Sequence, residues 1–132
     1  MELRTVVVDD EEPARSEICF LLDQLGGVEV VGQAADGIEA LRLIEELAPD
    51  LVLLDVEMPG LTGFEVAREL LARGIDLWIV FVTAYDQYAI EAFDVNAVDY
   101  VLKPVEPARL EQAIGRARRQ VPERVAAGGS SG

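Results

Sequence analysis

The sequence predicts a doubly wound α/β domain, with five parallel strands in the order 2-1-3-4-5 alternating with five helices. Three observations carry that expectation. Runs of consecutive apolar residues, above all Leu51-Val52-Leu53-Leu54, read as strands buried on both faces, because a half-exposed strand alternates apolar with polar. Stretches with apolar residues at helical spacing lie between these runs. Several runs also stop on a polar or charged residue, at the strand ends where open α/β sheets collect their chemistry.

Thr5-Val6-Val7-Val8 is the first strand, ending at Asp9-Asp10. Glu11, Glu12 and Pro13 suit a first helical turn, with acids at the positive dipole end and proline where no amide donor is needed. Ala14, Ile18, Leu21, Leu22 and Leu25 continue that helix, and Gly26-Gly27 closes it. Val28-Glu29-Val30-Val31-Gly32 alternates more than the other strands, which places it at the sheet edge. Asp36-Gly37 opens a helix with Ile38, Leu41, Ile44 and Ala48 on one face, ended by Pro49.

Residues 50–55 form the central strand, and Pro59-Gly60 and Gly63 force a loop after it. Phe64, Ala67, Leu70 and Leu71 mark a third helix that stops at Gly74. Residues 77–82 are a further buried strand reaching Thr83-Ala84, followed by a short helix over 86–94 rich in Tyr, Ala and Phe. Residues 98–102 are the last strand, ending at Lys103-Pro104. A final helix over 107–120 carries Leu110, Ala113, Ile114 and Ala117, with Arg116, Arg118 and Arg119 at an end that complements the dipole. Right-handed crossovers and an edge-like second strand select the order 2-1-3-4-5. The domain is therefore expected over 1–120, with 121–132 a flexible linker or an engineered end, since its periodicity fades into Gly-Gly-Ser-Ser-Gly.

Composition excludes several classes of function. With 25 acids against 11 bases, the net charge of −14 argues against this segment gripping a phosphate backbone by itself. No histidine is present, which removes a His-based triad, a His metal site and a phosphohistidine carrier. The lone cysteine, Cys19, lies in an apolar helical pattern and reads as a core thiol in a reduced, cytoplasmic setting. No apolar run approaches the ~18 residues of a membrane span. Ten of the eleven bases are Arg, and Lys103 is the one lysine.

In the predicted order, strands one, three, four and five deliver Asp9 and Asp10, Asp55, Thr83 and Lys103 to one edge of the sheet. Two carboxylates ~5 Å apart repel by about 3 kcal/mol at an effective dielectric near 20. Three acids kept together therefore call for a compensating cation, and Lys103 supplies only one charge. All-oxygen ligands with open positions favour Mg²⁺ or Mn²⁺. Asp55 could then act as a nucleophile on phosphorus, while Lys103 and Thr83 stabilise charge on the phosphoryl oxygens.

These residues, together with Val56-Glu57-Met58-Pro59-Gly60, Gly63, Ala84 and Tyr100 three places before Lys103-Pro104, make the chain resemble a receiver domain of two-component response regulators over roughly residues 3–120. The resemblance implies the flavodoxin-like (CheY-like) fold and a phosphoryl group passed to Asp55 from the phosphohistidine of a sensor histidine kinase. It implies that Asp10, Asp55 and the Glu57 backbone carbonyl bind Mg²⁺, with Asp9 assisting through water. Thr83 and Tyr100 would be the switch pair, Ala84 and Lys103 would stand at the phosphoryl site, and the Lys103–Pro104 bond would be cis. The stretch Phe81-Val82-Thr83-Ala84-Tyr85-Asp86-Gln87-Tyr88-Ala89, with Ala92-Phe93, resembles receivers joined to a LytTR-type DNA-binding domain. DNA would then be reached only through that output domain, and no membrane would be involved.

Each residue also has a plainer reading. Asp9-Asp10-Glu11-Glu12 could serve only as a cap and acidic first turn, Asp55 as a strand terminator, and Tyr100 as sheet packing. Trp78 reads as a strand side chain under a helix. A haloacid dehalogenase-type phosphatase would want a second aspartate two residues after Asp55, where Glu57 stands. A flavin carrier would want a Ser, Thr and Gly-rich loop where Asp9-Asp10-Glu11-Glu12 repels phosphate. The remaining alternative is a phosphate-independent interaction module. In either case the apolar residues Tyr88, Ala89, Ala92 and Phe93 suggest that the face of helix 86–94, strand 98–102 and helix 107–120 pairs with a second copy or an effector domain.

Overall fold

The apolar runs form five parallel strands: β1 (Leu3–Val8), β2 (Val28–Ala34), β3 (Leu51–Leu54), β4 (Trp78–Thr83) and β5 (Asp99–Leu102). A computed structural model describes the backbone of residues 2–131 and the side chains of residues 2–120. The sheet order is β2-β1-β3-β4-β5, as the sequence predicts. Helices α1 (Glu12–Leu25), α2 (Gly37–Leu47), α3 (Gly63–Ala72), α4 (Ala89–Asp94) and α5 (Pro107–Ser131) alternate with the strands.

Because side chains alternate across a strand, the central runs feed two separate cores. Val6, Val8, Val52, Leu54, Ile79 and Phe81 point to one face and pack with α2, α3 and α4. Val7, Leu51, Leu53, Val80, Val82 and Val101 point to the other and pack with α1 and α5. Both faces of β3 are covered, which is why its sequence does not alternate.

Helix starts follow local chemistry. The Asp36 carboxylate accepts the Glu39 amide at 2.8 Å, and Thr62 and Glu65 form a reciprocal capping box at the start of α3. On α2 the buried stripe is Gly37, Ala40, Leu41 and Ile44. Ile38 is instead 69% exposed, and Ala48 is an exposed left-handed C-cap beyond the helix. Leu71 is likewise exposed, because α3 turns Phe64, Val66, Ala67 and Leu70 inward.

Two helices differ in extent from expectation. The helix expected over 86–94 is only Ala89–Asp94. The Tyr85 carbonyl, which would accept the first bond of a longer helix, takes the Tyr100 hydroxyl instead. At the other end of the chain, α5 continues to Ser131, so Arg116, Arg118 and Arg119 lie within the helix and do not cap its dipole. Arg116 pairs with Asp99 at 3.0 Å, and Arg118 donates to the Gly27 carbonyl. The linker or engineered end expected over 121–132 falls outside the described side chains, and Gly132 lies outside the described backbone.

Candidate functional site

Ladder bonds continue past the strand ends and hold the next residues in line with the sheet. Asp9 N donates to the Ala34 carbonyl at 3.1 Å, Asp55 N to Val8 at 3.0 Å and Lys103 N to Thr83 at 2.8 Å. In register, Val8 stands beside Leu54, Leu54 beside Phe81 and Thr83 beside Leu102. The residues just after β1, β3 and β5, and the last residue of β4, therefore share one edge of the sheet. Asp9, Asp10 and Asp55 each offer a carboxylate oxygen to a cluster whose atoms all lie within 4.8 Å of one another.

Lys103 lies between two of these acids, with Nζ 2.6 Å from Asp9 Oδ2 and 3.1 Å from Asp55 Oδ2. Asp9 is fully buried, and its Oδ1 accepts the Glu11 amide at 2.9 Å, so both of its oxygens are engaged. Arg15 donates to the Asp9 carbonyl at 2.7 Å. Asp10 is exposed, whereas Asp55 is only 6% exposed. Burial pushes the Asp55 carboxyl above its ordinary range. The Lys103 charge opposes that rise and the nearby Asp9 adds to it. Burial pulls the Lys103 ammonium down, but its bond to Asp9 and the charges of Asp55 and Asp9 outweigh this and raise it. The lysine is thus held charged between two acids.

Thr83 is fully buried at the end of β4, and its hydroxyl oxygen lies 3.4 Å from the Tyr85 amide. Ala84 is exposed beside it. Tyr100 is half-buried against Phe81, with ring centroids 6.4 Å apart, and donates its hydroxyl to the Tyr85 carbonyl. The Lys103–Pro104 bond is cis. Gly63 N donates to the Val56 carbonyl at 2.8 Å, and a Cβ on Gly63 would collide with the Asp55 carbonyl oxygen. The start of α3 can approach the Asp55 backbone this closely only with glycine there.

Two groupings carry no signal in the sequence. The Tyr88 hydroxyl donates to Glu57 Oε2 at 2.8 Å, which raises Tyr88 above the usual phenol range. Asp99, at the start of β5, takes both guanidinium nitrogens of Arg109 at 2.8 and 2.7 Å as well as Arg116. Neither pair has a local spacing signal, because 31 residues separate Tyr88 from Glu57 and 10 separate Arg109 from Asp99. A surface groove of about 870 Å³ between α2 and α3, flanked by Ile38, Leu61, Arg42 and Arg68, has none of the clustered acids in its walls.

The family model for the response regulator receiver domain matches residues 5–115. The chain belongs to that family. An uncharacterized response regulatory protein of Vibrio parahaemolyticus is 50% identical over 119 residues, covering 90% of this chain and 49% of the relative. The positive alginate biosynthesis regulatory protein of Pseudomonas aeruginosa is 45% identical over 124 residues, covering 93% of this receiver and 49% of that protein. The receiver therefore spans about half the length of the curated relatives it matches. The crystal structure of the response regulatory domain of protein mrkE from Klebsiella pneumoniae superposes with a TM-score of 0.84 at 29% identity, covering 92% of this chain and 99% of that one.

Proposed function

We propose that this receiver is switched by a phosphoryl group carried on Asp55. The observation that carries this reading is the convergence of Asp9, Asp10 and Asp55 with the one lysine of the chain, from segments remote in sequence. An Asp55 carboxylate oxygen bonds to the phosphorus of a phosphohistidine on a sensor histidine kinase. The P–N bond breaks, its electron pair returns to the imidazole, and an acyl phosphate remains on Asp55. Catalysis by this domain is limited to this transfer and to hydrolysis of the acyl phosphate, which passes the phosphoryl group to water and restores the Asp55 carboxylate.

An oxygen-only set of clustered carboxylates fits a hard divalent cation, Mg²⁺ or Mn²⁺. Asp10, Asp55 and the Glu57 carbonyl would hold it, with Asp9 acting through water because both of its oxygens are already engaged. Such a cation would offset charge on the phosphoryl oxygens. Lys103 moves from Asp55 Oδ2 to a phosphoryl oxygen while keeping Asp9. The Thr83 hydroxyl turns to the same group, drawing the loop through Ala84 and Tyr85 toward it. Tyr100, bonded to the Tyr85 carbonyl, couples that loop to β5. The result is a shift between two packings of the α4–β5–α5 face, driven by the new charge.

The exposed Ile90, Phe93 and Leu102 make that face suited to pairing with a second copy once the packing shifts. The output is a LytTR-type DNA-binding domain in the half of the protein that the relatives have beyond this receiver. Nucleic acid is contacted there, in keeping with the charge of −14 here. The setting is cytoplasmic, where a kinase phosphohistidine and a free thiol coexist. Among the described residues no helix is long and apolar enough to cross a membrane.

The test is intact mass after incubation with acetyl phosphate, with and without Mg²⁺, beside Asp55→Ala. A Mg²⁺-dependent gain of one phosphoryl group, absent in the variant, is expected. No gain with any small phosphodonor would move the reading to a phosphate-independent interaction module.

A further inference from the structure

Helix α1 begins without a side-chain cap, since its N-cap residue Glu11 makes no such bond. The turn leading into it is closed by two other contacts. Asp9 Oδ1 accepts the Glu11 amide at 2.9 Å, and Arg15, one turn into α1, reaches back to donate Nη1 to the Asp9 carbonyl at 2.7 Å. That carbonyl belongs to the peptide joining Asp9 to Asp10. Arg15 stands where local rules disfavour it, because a cation near a helix N-terminus meets the positive end of the dipole. Asp10, Glu11 and Glu12 lie close by in sequence, yet every ion pair among the described residues uses another base. A half-buried guanidinium that forgoes carboxylates for one backbone carbonyl breaks a local preference in order to hold that peptide.

We propose that Arg15 is a positioning residue for the cation site: its bond fixes the plane of the Asp9–Asp10 peptide, so that the exposed Asp10 carboxylate stays beside Asp9 and Asp55. This rests on the reading of that cluster as a seat for Mg²⁺ or Mn²⁺. Asp9 is locked by the β2 ladder, by Glu11 and by Lys103, and Asp55 by the β1 ladder and its burial. No hydrogen bond or ion pair among the described residues holds the Asp10 carboxylate, so its place is set through its backbone. The guanidinium has two opposed effects on a divalent ion. Its charge repels the ion, whereas its bond prearranges a ligand for it, and the second effect prevails.

The experiment is thermal melting of the unphosphorylated protein across a Mg²⁺ titration, in about 0.5 M KCl to screen distant charges. The chains compared are the wild type, Arg15→Gln and Arg15→Lys. A bound ion raises the melting temperature once its concentration passes the dissociation constant. Arg15→Gln suits a helix equally well but ends short of Nη1, so it loses the bond and the charge together. It is expected to need about fivefold more Mg²⁺, the ratio one net hydrogen bond is worth. Arg15→Lys keeps the charge and a donor, and it should recover toward the wild type. Because the retained charge opposes Mg²⁺, that recovery can come only from the bond. A merely structural arginine lowers every melting temperature alike and leaves the Mg²⁺ requirement unchanged. A merely electrostatic one makes Arg15→Gln bind Mg²⁺ more tightly. Either result overturns the proposal, and so does a loss in Arg15→Lys as great as in Arg15→Gln. Absence of any Mg²⁺-dependent rise in the wild type defeats the cation reading itself, an outcome told apart because it shows before any residue is changed.

Discussion

Asp55 sits where burial and the proposed phosphoacceptor role pull in opposite directions. Its folded-state pKa lies above the unfolded one because of desolvation, opposed by Lys103 and reinforced by Asp9. The native state therefore holds that proton more tightly. The stability this contributes is present below the ordinary carboxylate range and is lost as pH rises through the raised value. At neutral pH the ionised Asp55 is thus a net cost to the fold. Asp55→Asn is expected to melt at higher temperature than the wild type at pH 7 without divalent cations, and the gap should close on acidification. Thermal denaturation across pH checks this, and a variant that melts lower at pH 7 would contradict it. An ionised Asp55 beside Asp9 is a repulsion that a bound cation would relieve.

At the level of elements, β5 and α5 are joined by a buried carboxylate. Asp99 has a side chain only 6% exposed and meets Arg109 bidentately, Arg116 at 3.0 Å and the Tyr100 amide at 2.8 Å. Burial alone would raise its pKa, but the bonds from Arg109 and Tyr100 N and the two guanidinium charges together lower it. Its contribution to stability is accordingly present above the unfolded carboxylate value and lost as pH falls through the depressed folded one. Asp99→Ala is expected to cost about 2 kcal/mol in urea unfolding at pH 7, since charged hydrogen bonds are lost while Arg109 regains water. The difference should narrow in acid. Because Arg109 also donates to the Tyr100 carbonyl at 3.0 Å, the same network holds the strand that carries Tyr100, the proposed switch residue.

For the whole molecule, the chief question is what covers the exposed face of α4. Ile90 is 80% and Phe93 81% exposed, whereas Ala92 is buried in the core. The face expected from sequence to present Tyr88, Ala89, Ala92 and Phe93 therefore presents Ile90 and Phe93 in its most exposed positions. A double Ile90→Ser, Phe93→Ser variant is expected to stay within about 0.5 kcal/mol of the wild type as an unphosphorylated monomer, because neither side chain is packed. After phosphorylation, size-exclusion should show the wild type eluting earlier and the variant unchanged. Identical shifts in both would place the pairing surface elsewhere.

Much of this architecture was legible because its causes are local or periodic. Doubly buried strands must be continuously apolar, helices must show a stripe, and the polar residue ending each run marks the sheet edge, so Asp9, Asp55, Thr83 and Lys103 could be gathered from order alone. The sequence by itself thus determined the strand order, the edge position of β2 and the set of residues at that edge. It misplaced Ile38, Leu71 and Ala48, because a few degrees of helix rotation or one residue of helix length decides burial. It also overextended the helix before Asp94, since a tertiary bond from Tyr100 takes the carbonyl that would have started it. Only the tertiary structure decided that Lys103 bridges Asp9 and Asp55, that Tyr88 reaches Glu57, and that Arg109 and Arg116 meet on Asp99. Those pairings join residues with no fixed sequence spacing, and their geometry exists only once separate strands and helices have packed.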